Sequence, residues 1–421
     1  MEGKANQIKQ EYKSRAEAIF VNLQQEVEES FNRIDAQLDE LLNDKCNLIN
    51  ILRFQVSSDL PKLNCNIVLQ FKNDDFSQQI ISQMSPLIKT NSQNQNKSNE
   101  QLNVKPFAYQ LIQQNSIKQN EYCCAIAVNK DFSILVAGCY SQIKVFEFKQ
   151  GNLKQVQLLS EHTYYVYTLN FMKKSDQFIS GSSDSLIIIW GRNENNQWNC
   201  QSKLNGHTNT IYCLIINDNE DLIISGSNDT TIKFWQKQNQ WLCSQTITHH
   251  NSRVFALSLN ESQNKLISCG EDKLILVMEQ SEQNQQWTVI QKITVEIKGL
   301  RLCFIDNNIF TFQPFEKEYM DIYEMSSTNK QFIKTKDIPV KDGLDQCFFP
   351  QYFIKSKGIL VNKNGLNVNL IKIKSNTEFI IQQSIDFGTR ATYGYMTDDG
   401  QYLITWDDNS KEYQIRIYQE L

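Results

Sequence analysis

Histidine is scarce in this sequence, which has four histidines among 421 residues. They are His162, His207, His249 and His250, and three of them recur at one position of a repeat described below. Acid–base catalysis and zinc sites draw mainly on histidine or on clustered cysteine. The sequence also lacks the glycine-rich phosphate-binding loop and the Gly-x-Ser-x-Gly nucleophile motif. We therefore expect no catalytic site, no metal and no bound cofactor.

Long apolar runs and basic clusters are also lacking. No run approaches the ~18–20 apolar residues that span a membrane, and the first residues contain no apolar signal core. The net charge is −5 at pH 7, and residues 1–60 carry −4 of it, from 7 basic and 11 acidic side chains. A nucleic-acid binder usually presents a basic face. We therefore expect a cytoplasmic protein that binds other proteins, with no nucleic acid and no membrane insertion.

The 11 cysteines are mostly spread singly along the chain, and no Cys-x-x-Cys pair occurs. Zinc sites need clustered cysteine or histidine, and secreted disulfide scaffolds are small and dense in cysteine. Several cysteines lie alone in segments with strand character, among them Cys139, Cys213, Cys243, Cys269, Cys303 and Cys347. This distribution indicates small buried side chains in a reducing compartment.

The segment GHTNTIYCLIINDNEDLIISGSNDTTIKFW at residues 206–235 is the clearest copy of an internal repeat. Its short apolar runs are rich in β-branched residues and separated by polar turns, which predicts three antiparallel strands. In each copy Ser, Asp and then Trp or Met follow a histidine by 18, 22 and 28 residues. The three sets are His162/Ser180/Asp184/Trp190, His207/Ser225/Asp229/Trp235 and His250/Ser268/Asp272/Met278. One such sheet cannot bury both faces, so several copies are expected to pack together.

The pattern of Gly-His, Ser-x-x-x-Asp and Trp resembles the WD40 repeat, although the Trp-Asp dipeptide itself is absent. The resemblance implies an all-β propeller with four strands in each blade. It also implies that the His, Ser, Asp and Trp of one copy form a hydrogen-bonded tetrad inside a blade. Met278 has no N–H donor, so we expect the third tetrad to be truncated.

The spacing of the third strands predicts seven blades. Spacings of 43 to 48 residues result when these strands are taken to end at Phe146, Trp190, Trp235, Met278, Tyr323, Ile371 and Tyr418. The seventh blade then lacks a fourth strand, and residues 107–113 are expected to supply it, which removes an exposed sheet edge. We assign the propeller to residues 106–421. Blades five to seven lack the complete His, Ser and Asp pattern, so we expect apolar packing alone to hold them.

The N-terminal 53 residues have apolar side chains three and four positions apart, which is typical of a coiled-coil helix. We predict that residues 1–53 form a coiled coil and a homodimer; a single amphipathic helix docked on the propeller is the alternative. Residues 54–87 are an ambiguous connecting segment. The polar residues 88–105 are expected to be a disordered linker.

A closed propeller presents loops on a rigid disc, and the resemblance implies that partners dock on its top face. The loop residues expected there are Tyr164, Tyr165, Ser183, Thr210, Asn228, Arg253 and Glu271. Tyrosine and arginine are common interface anchors. We therefore predict a non-catalytic protein-interaction scaffold; ordinary solvated loop residues are the alternative interpretation of each position.

Two more specific functions stay open. The order of coiled coil and β-domain resembles tripartite-motif proteins and favours recruitment of a client for ubiquitin ligation, without ligase activity because the zinc-binding modules are lacking. The segments around Trp198 and Cys200, and around Trp241 and Cys243, resemble the WD40 subunit of the cytosolic iron–sulfur assembly machinery. That resemblance implies a targeting subunit that docks apo-proteins and binds no cluster itself.

Overall fold

The structure of the chain is a computed structural model, and it describes residues 106–112, 116–341, 348–374 and 378–421. The regular elements in these ranges are β-strands, and none of the described residues forms a helix long and apolar enough to cross a membrane. Several predictions lie outside the described residues: the coiled coil 1–53, the connecting segment 54–87, the linker 88–105 and the strand position of Cys347.

Seven antiparallel sheets follow one another along the chain, which confirms the predicted seven-bladed propeller. Two short strands precede the first blade, β1 (Phe107–Leu111) and β2 (Ile117–Lys118). Blade one contains β3 (Cys123–Val128), β4 (Ile134–Cys139), β5 (Gln142–Lys149) and β6 (Asn152–Leu159). Blade two contains β7 (Val166–Phe171), β8 (Gln177–Ser182), β9 (Ile187–Arg192) and β10 (Trp198–Leu204). Blade three contains β11 (Ile211–Ile216), β12 (Leu222–Ser227), β13 (Ile232–Lys237) and β14 (Trp241–Ile247).

The remaining blades complete a closed ring. Blade four contains β15 (Val254–Leu259), β16 (Lys265–Gly270), β17 (Leu274–Gln280) and β18 (Trp287–Thr294). Blade five contains β19 (Gly299–Phe304), β20 (Ile309–Pro314), β21 (Tyr319–Met325) and β22 (Phe332–Pro339). Blade six contains β23 (Tyr352–Ile354), β24 (Ile359–Asn364), β25 (Asn367–Ile373) and β26 (Phe379–Asp386), and blade seven contains β27 (Thr392–Met396), β28 (Tyr402–Asp407) and β29 (Glu412–Glu420). The first strands of blades one to six contact one another in turn, and β27 contacts β3.

Burial decreases from the inner strands of a blade to its outermost strand. All six residues of β12 are buried, because that strand is covered by blades on both sides. The fourth strand β18 instead alternates between exposed and less exposed residues after its buried Trp287. Inner strands are therefore short continuous runs of Ile, Leu and Val, whereas outer strands show the apolar–polar alternation of a half-exposed sheet.

Blade seven is built from both ends of the chain. β1 lies antiparallel against β29, with Tyr109 opposite Tyr418, and β2 pairs with the beginning of β29. Tyr109 is buried, its hydroxyl donates to the carbonyl of Gly400 at 2.6 Å, and its ring contacts that of Tyr418. The fourth strand of this blade is therefore Phe107–Leu111, which lies within the predicted segment 107–113. Residue 113 lies outside the described residues.

A glutamine on the outer strand joins four of the blades to the next one. Its side-chain oxygen accepts the main-chain N–H of an aromatic residue on the neighbouring outer strand, and its side-chain nitrogen donates to the carbonyl of the same residue. The four pairs are Gln157 with Trp198, Gln245 with Trp287, Gln291 with Phe332, and Gln383 with Tyr109. β1 therefore takes the same place in the ring as the fourth strands of the other blades.

Replacing Gln383 by alanine is expected to lower the free energy of unfolding by about 1–3 kcal/mol, because the main-chain groups of buried Tyr109 would lose their partners. Chemical denaturation measures this change. Gln110, which is exposed on the closing strand, provides the control: Gln110→Ala should change stability by less than about 0.5 kcal/mol. Equal effects of the two substitutions would contradict the proposed link between blades six and seven.

The register of blade seven corrects one assignment made from the sequence. In blade three Trp235 lies opposite Ile223 on the neighbouring strand. The corresponding pair in blade seven is Arg416 and Leu403. The third-strand position predicted at Tyr418 is therefore wrong by two residues, because an aromatic residue was taken as its marker and arginine stands there instead.

Candidate interaction face

Two blades contain a complete hydrogen-bonded tetrad. In blade three His207 Nε2 lies 2.7 Å from Ser225 Oγ, and His207 Nδ1 lies 2.7 Å from Asp229 Oδ2. Trp235 Nε1 donates to the same Ser225 oxygen at 2.9 Å. Blade two repeats the arrangement, with distances of 2.7, 2.8 and 2.8 Å among His162, Ser180, Asp184 and Trp190. The structure thus brings the residues of both sets together.

The tetrad of blade four is shorter, because Met278 has no N–H group to donate. His250 bonds to Ser268 at 2.9 Å and to Asp272 at 2.9 Å, and Met278 is buried beside them. Asp272 also accepts the main-chain N–H of Asn251 at 2.8 Å. The corresponding aspartates of blades two and three do the same for Thr163 and Thr208. Each tetrad therefore fixes the loop that enters its blade.

The tetrad aspartates are ionised structural groups. Burial raises the pKa of the Asp229 carboxyl, but the hydrogen bonds from His207, Thr231 and Thr208 outweigh this effect and lower that pKa overall. The same balance lowers the pKa values of Asp184 and Asp272. Carboxylates held in this way accept hydrogen bonds and are poorly suited to donate a proton.

Blade five has apolar side chains where the tetrads have polar ones. Phe312 takes the place of Ser225, and Tyr323 takes the place of Trp235. Phe310 stacks on Tyr323 with ring centroids 4.8 Å apart. The prediction that apolar packing replaces the tetrad fits this blade.

The same prediction is wrong for blades six and seven, where other buried polar side chains form hydrogen bonds at the tetrad positions. In blade seven Arg416 donates to Thr405 Oγ1 at 3.1 Å, which repeats the bond from Trp to Ser in the tetrads. In blade six Asn362 accepts from Gln351 at 2.8 Å and donates to Gln313 of blade five at 2.8 Å. Different residues therefore satisfy the same buried positions.

In blades two, three and four, the loop before the first strand and the loop after the second strand lie side by side on one face of the ring. Main-chain bonds of 2.8–2.9 Å join Ser183 to Tyr165, Asn228 to Thr210, and Glu271 to Arg253. We call the face formed by these residues the top face. Tyr164 lies next to Tyr165, and its carbonyl accepts from Ser182 Oγ at 3.0 Å. The structure thus places all seven predicted contact residues on one face.

Charged side chains form a small cluster on the top face. Arg253 Nε lies 3.3 Å from a carboxylate oxygen of Glu271, and Lys298 Nζ lies 3.1 Å from the other oxygen. The hydrogen bond from Lys298 is the main reason that the pKa of Glu271 is lowered. Two cations therefore share one carboxylate.

Lys298 was missed by the sequence prediction, although the repeat spacing contained the signal. Tyr165, Thr210 and Arg253 each precede the third-strand position of their blade by 25 residues. Lys298 precedes Tyr323, the third-strand position of blade five, by the same number. Blade five lacks the histidine that marks the repeat in blades two to four, so only the spacing indicated Lys298.

Tyr140 of blade one was also missed. It lies in the turn between β4 and β5, and its main-chain N–H donates to the carbonyl of Tyr122 at 3.1 Å. Its ring contacts that of Tyr165 edge-on, with centroids 5.2 Å apart. A two-residue turn normally carries Asn or Gly, so the sequence gave no reason to expect an exposed ring there.

An aromatic cluster surrounds the mouth of the central channel. A bulge near the start of the first strand leaves one residue unpaired in blades two, three and four, and that residue is Tyr167, Tyr212 or Phe255. Phe348, which precedes blade six, contacts all three rings at centroid distances of 4.7–5.8 Å. The four rings line a cavity of about 290 Å³. The side chain of Phe348 thus occupies part of the channel mouth.

The described residues contain no group of three or more His, Cys, Asp or Glu side chains that could hold a metal ion. Burial raises the pKa values of the Cys213, Cys269 and Cys303 thiols. These thiols are therefore poor nucleophiles. What the top face offers is a rigid surface of aromatic and charged side chains.

Comparison with known proteins identifies the family described as WD domain, G-beta repeat, which matches residues 153–191, 198–236 and 241–277. A curated relative, the THO complex subunit 6 homolog of Danio rerio, is 30% identical over 77 residues. The matched part covers 18% of this chain and 23% of that relative, so the similarity concerns about a quarter or less of either protein. The chain therefore carries WD40 repeats, which form part of a seven-bladed β-propeller.

Proposed function

We propose that this chain is a non-catalytic scaffold in the cytoplasm, whose top face binds a protein client. WD40 propellers are generally protein-interaction scaffolds. Among the described residues, the exposed aromatic side chains are Tyr140, Tyr164 and Tyr165, and the proposal rests mainly on them. All three lie on the top face, and such residues are enriched at interface hot spots.

The charged cluster of Arg253, Glu271 and Lys298 on the same face supports this assignment, because charged residues at the edge of an interface steer association and fix its orientation. The name of the zebrafish relative describes a subunit of a complex, which agrees with a role in assembly. The tetrads of blades two to four hold the loops in place, so little conformational entropy is lost on binding.

We further propose that residues 1–53 self-associate as a coiled coil. Two propellers in one assembly would bind a client with two sites and gain avidity without any new contact. Recruitment of a client for ubiquitin ligation and delivery of apo-proteins to iron–sulfur assembly are the two specific functions that such a scaffold would fit.

Affinity capture from native cells tests the scaffold function. Wild-type protein is compared with a Tyr165→Ala/Arg253→Ala variant and with a chain that lacks residues 1–53. Each form is expressed together with a second, epitope-tagged copy of itself, whose capture reports self-association. We expect the double variant to lose client proteins and to keep its own second copy. The truncated chain should lose the second copy and retain fewer clients.

A matched control is the Leu242→Ala/Lys355→Ala variant, whose two exposed side chains lie on an outer strand and in the loop between β23 and β24. It should capture the same proteins as the wild type. Loss of iron–sulfur assembly subunits, of ubiquitin-ligase subunits or of THO complex subunits from the Tyr165→Ala/Arg253→Ala sample would identify the client class. Identical captures from all three full-length forms would contradict a client site on the top face.

A further inference from the structure

Two of the three exposed tyrosines on the top face, Tyr140 and Tyr165, form the outer end of a continuous series of aromatic rings. The exposed fractions are 63% for Tyr164, 44% for Tyr140 and 39% for Tyr165. The Tyr165 ring contacts Tyr140 at 5.2 Å and the half-buried Tyr167 at 6.1 Å between centroids. Tyr167 in turn contacts Tyr212 at 5.7 Å. We call this series, from Tyr140 to Tyr212, the tyrosine ladder.

The ladder is held rigidly by main-chain bonds. The carbonyl of Tyr140 accepts the N–H of Val166 at 2.8 Å, and the carbonyl of Tyr165 accepts the N–H of Ser183 at 2.8 Å. Tyr140 has a φ of +51°, in the left-handed region that bulky side chains adopt at an energetic cost. Tyr140 thus keeps an unfavourable backbone conformation while its ring stays exposed beside that of Tyr165. Strain of this kind is often found at binding sites, which points to a binding role for the Tyr140 ring.

The inner end of the ladder shows which side chain it accepts. Phe348 stacks on Tyr212 with centroids 4.7 Å apart and an angle of 29° between the rings. Two residues later Pro350 follows, and a residue before proline favours extended backbone. The segment is fixed by Arg301, whose Nε donates to the carbonyl of Phe349 at 2.5 Å. The chain itself therefore seats an aromatic side chain from a proline-containing segment on this surface.

The charge beside the ladder selects among possible ligands. Burial raises the pKa of Tyr212, and the positive charge of nearby Arg253 acts against this rise. Arg253 and Lys298 share only the Glu271 carboxylate, so this cluster has a net charge of +1. Near the outer tyrosines Glu161 forms an ion pair with Lys203 at 2.8 Å, and the Asp184 carboxylate is hydrogen-bonded within its tetrad. The cluster of Arg253, Lys298 and Glu271 is therefore positive, and it favours an acidic ligand over a basic one at this end of the ladder.

We propose that the tyrosine ladder binds an extended peptide segment that carries an aromatic residue close to proline, flanked by acidic residues that pair with Arg253 and Lys298. The aromatic residue stacks on Tyr140 and Tyr165 at the exposed end of the ladder, as Phe348 stacks at the inner end. Aromatic-lined grooves are a common way to bind proline-containing extended segments, because little backbone entropy is lost. This inference rests on the proposed client-binding function and names the chemistry of the client.

Fluorescence anisotropy with labelled synthetic peptides on the full-length chain tests the inference. The probe has the sequence Asp-Asp-Phe-Phe-Pro-Asp-Asp, and the two controls replace either the four acidic residues by lysine or the two phenylalanines by alanine. We expect the acidic aromatic probe to bind more tightly than both controls, with an affinity that falls as salt is added.

Three variants locate the site, each checked for folding by its melting temperature. Tyr140→Asn and Tyr165→Ala should each lower the affinity for the probe by about tenfold, as expected for loss of an aromatic anchor. Tyr140→Asn should also leave the melting temperature unchanged or raise it, because asparagine tolerates a positive φ. Arg253→Gln should abolish the preference for acidic over basic peptide, whereas the controls Ile333→Ala and Lys355→Gln should bind as the wild type does.

Failure of the peptide to bind the wild type, tighter binding of the lysine peptide, or unchanged affinity in the Tyr140 and Tyr165 variants would each overturn the inference. The affinity capture distinguishes these results from failure of the proposed function. If clients are lost with Tyr165→Ala/Arg253→Ala while the probe does not bind, the top face has a client of different chemistry. If neither experiment depends on these residues, both proposals fail.

Discussion

Replacement of Phe310 by alanine is expected to lower the free energy of unfolding by about 3–5 kcal/mol, the usual cost of removing a large buried aromatic side chain. Phe310 is fully buried and stacks on Tyr323, with an interplanar angle of 6°. It also contacts Phe332 at 5.0 Å and Phe304 at 5.9 Å. Phe310 therefore contacts three other aromatic rings inside blade five, and its removal would leave a cavity among them.

Chemical denaturation of the variant measures the loss, and Phe315→Ala is the matched control. Phe315 is half-buried, and its ring is covered on one side by Lys298 Nζ at 5.2 Å, so its removal should cost less than about 1.5 kcal/mol. A loss at Phe310 no larger than that at Phe315 would mean that blade five is supported by its neighbours rather than by its own aromatic cluster.

Replacement of Asp229 by alanine is expected to lower the free energy of unfolding by about 3 kcal/mol, because the buried His207 and three further donors would lose their acceptor at once. The carboxylate accepts from His207 Nδ1 at 2.7 Å, from Thr208 N at 3.0 Å, and from Thr231 N and Oγ1 at 3.0 and 2.6 Å. The loop at Thr208 should loosen as well, since one of its main-chain bonds is removed.

Asp218→Ala is the control for this substitution. Asp218 forms an exposed ion pair with Lys173, and exposed pairs contribute about 0–1 kcal/mol. Thermal and denaturant unfolding of both variants give the comparison. Equal stability of Asp229→Ala and Asp218→Ala would show that the tetrad does not support blade three.

The tetrads were predictable from the sequence because a buried network needs particular side chains at particular spacings. In a blade with His207, the serine and aspartate partners have to occur at fixed numbers of residues along the sequence, because the lengths of the strands and turns set these separations. Ser225 and Asp229 fulfil this requirement. The glutamine links between blades carry no such signal, since one glutamine in a strand rich in polar residues looks like any other exposed residue. Gln383 is informative only after β1 is seen beside it.

Blades six and seven show why the remaining positions were missed. Arg416 replaces the tryptophan of a tetrad because its guanidinium also donates a hydrogen bond to a buried hydroxyl. In a sequence, however, an arginine normally indicates a solvent-exposed position. Phe348 lies just before the first strand of blade six and packs on rings from blades two to four. Such a contact between distant parts of a chain has no local sequence pattern.

We propose that the top face, with its tyrosine ladder, is the surface that binds the client. Hydrogen–deuterium exchange of the full chain, alone and together with the captured client, tests it without any substitution. We predict slower exchange at main-chain amides of the top-face loops around Tyr140, Tyr165, Thr210 and Arg253, because a bound client would exclude water from them. Slower exchange confined to the outer strands, or to the loops on the opposite face such as residues 217–221, would contradict the account.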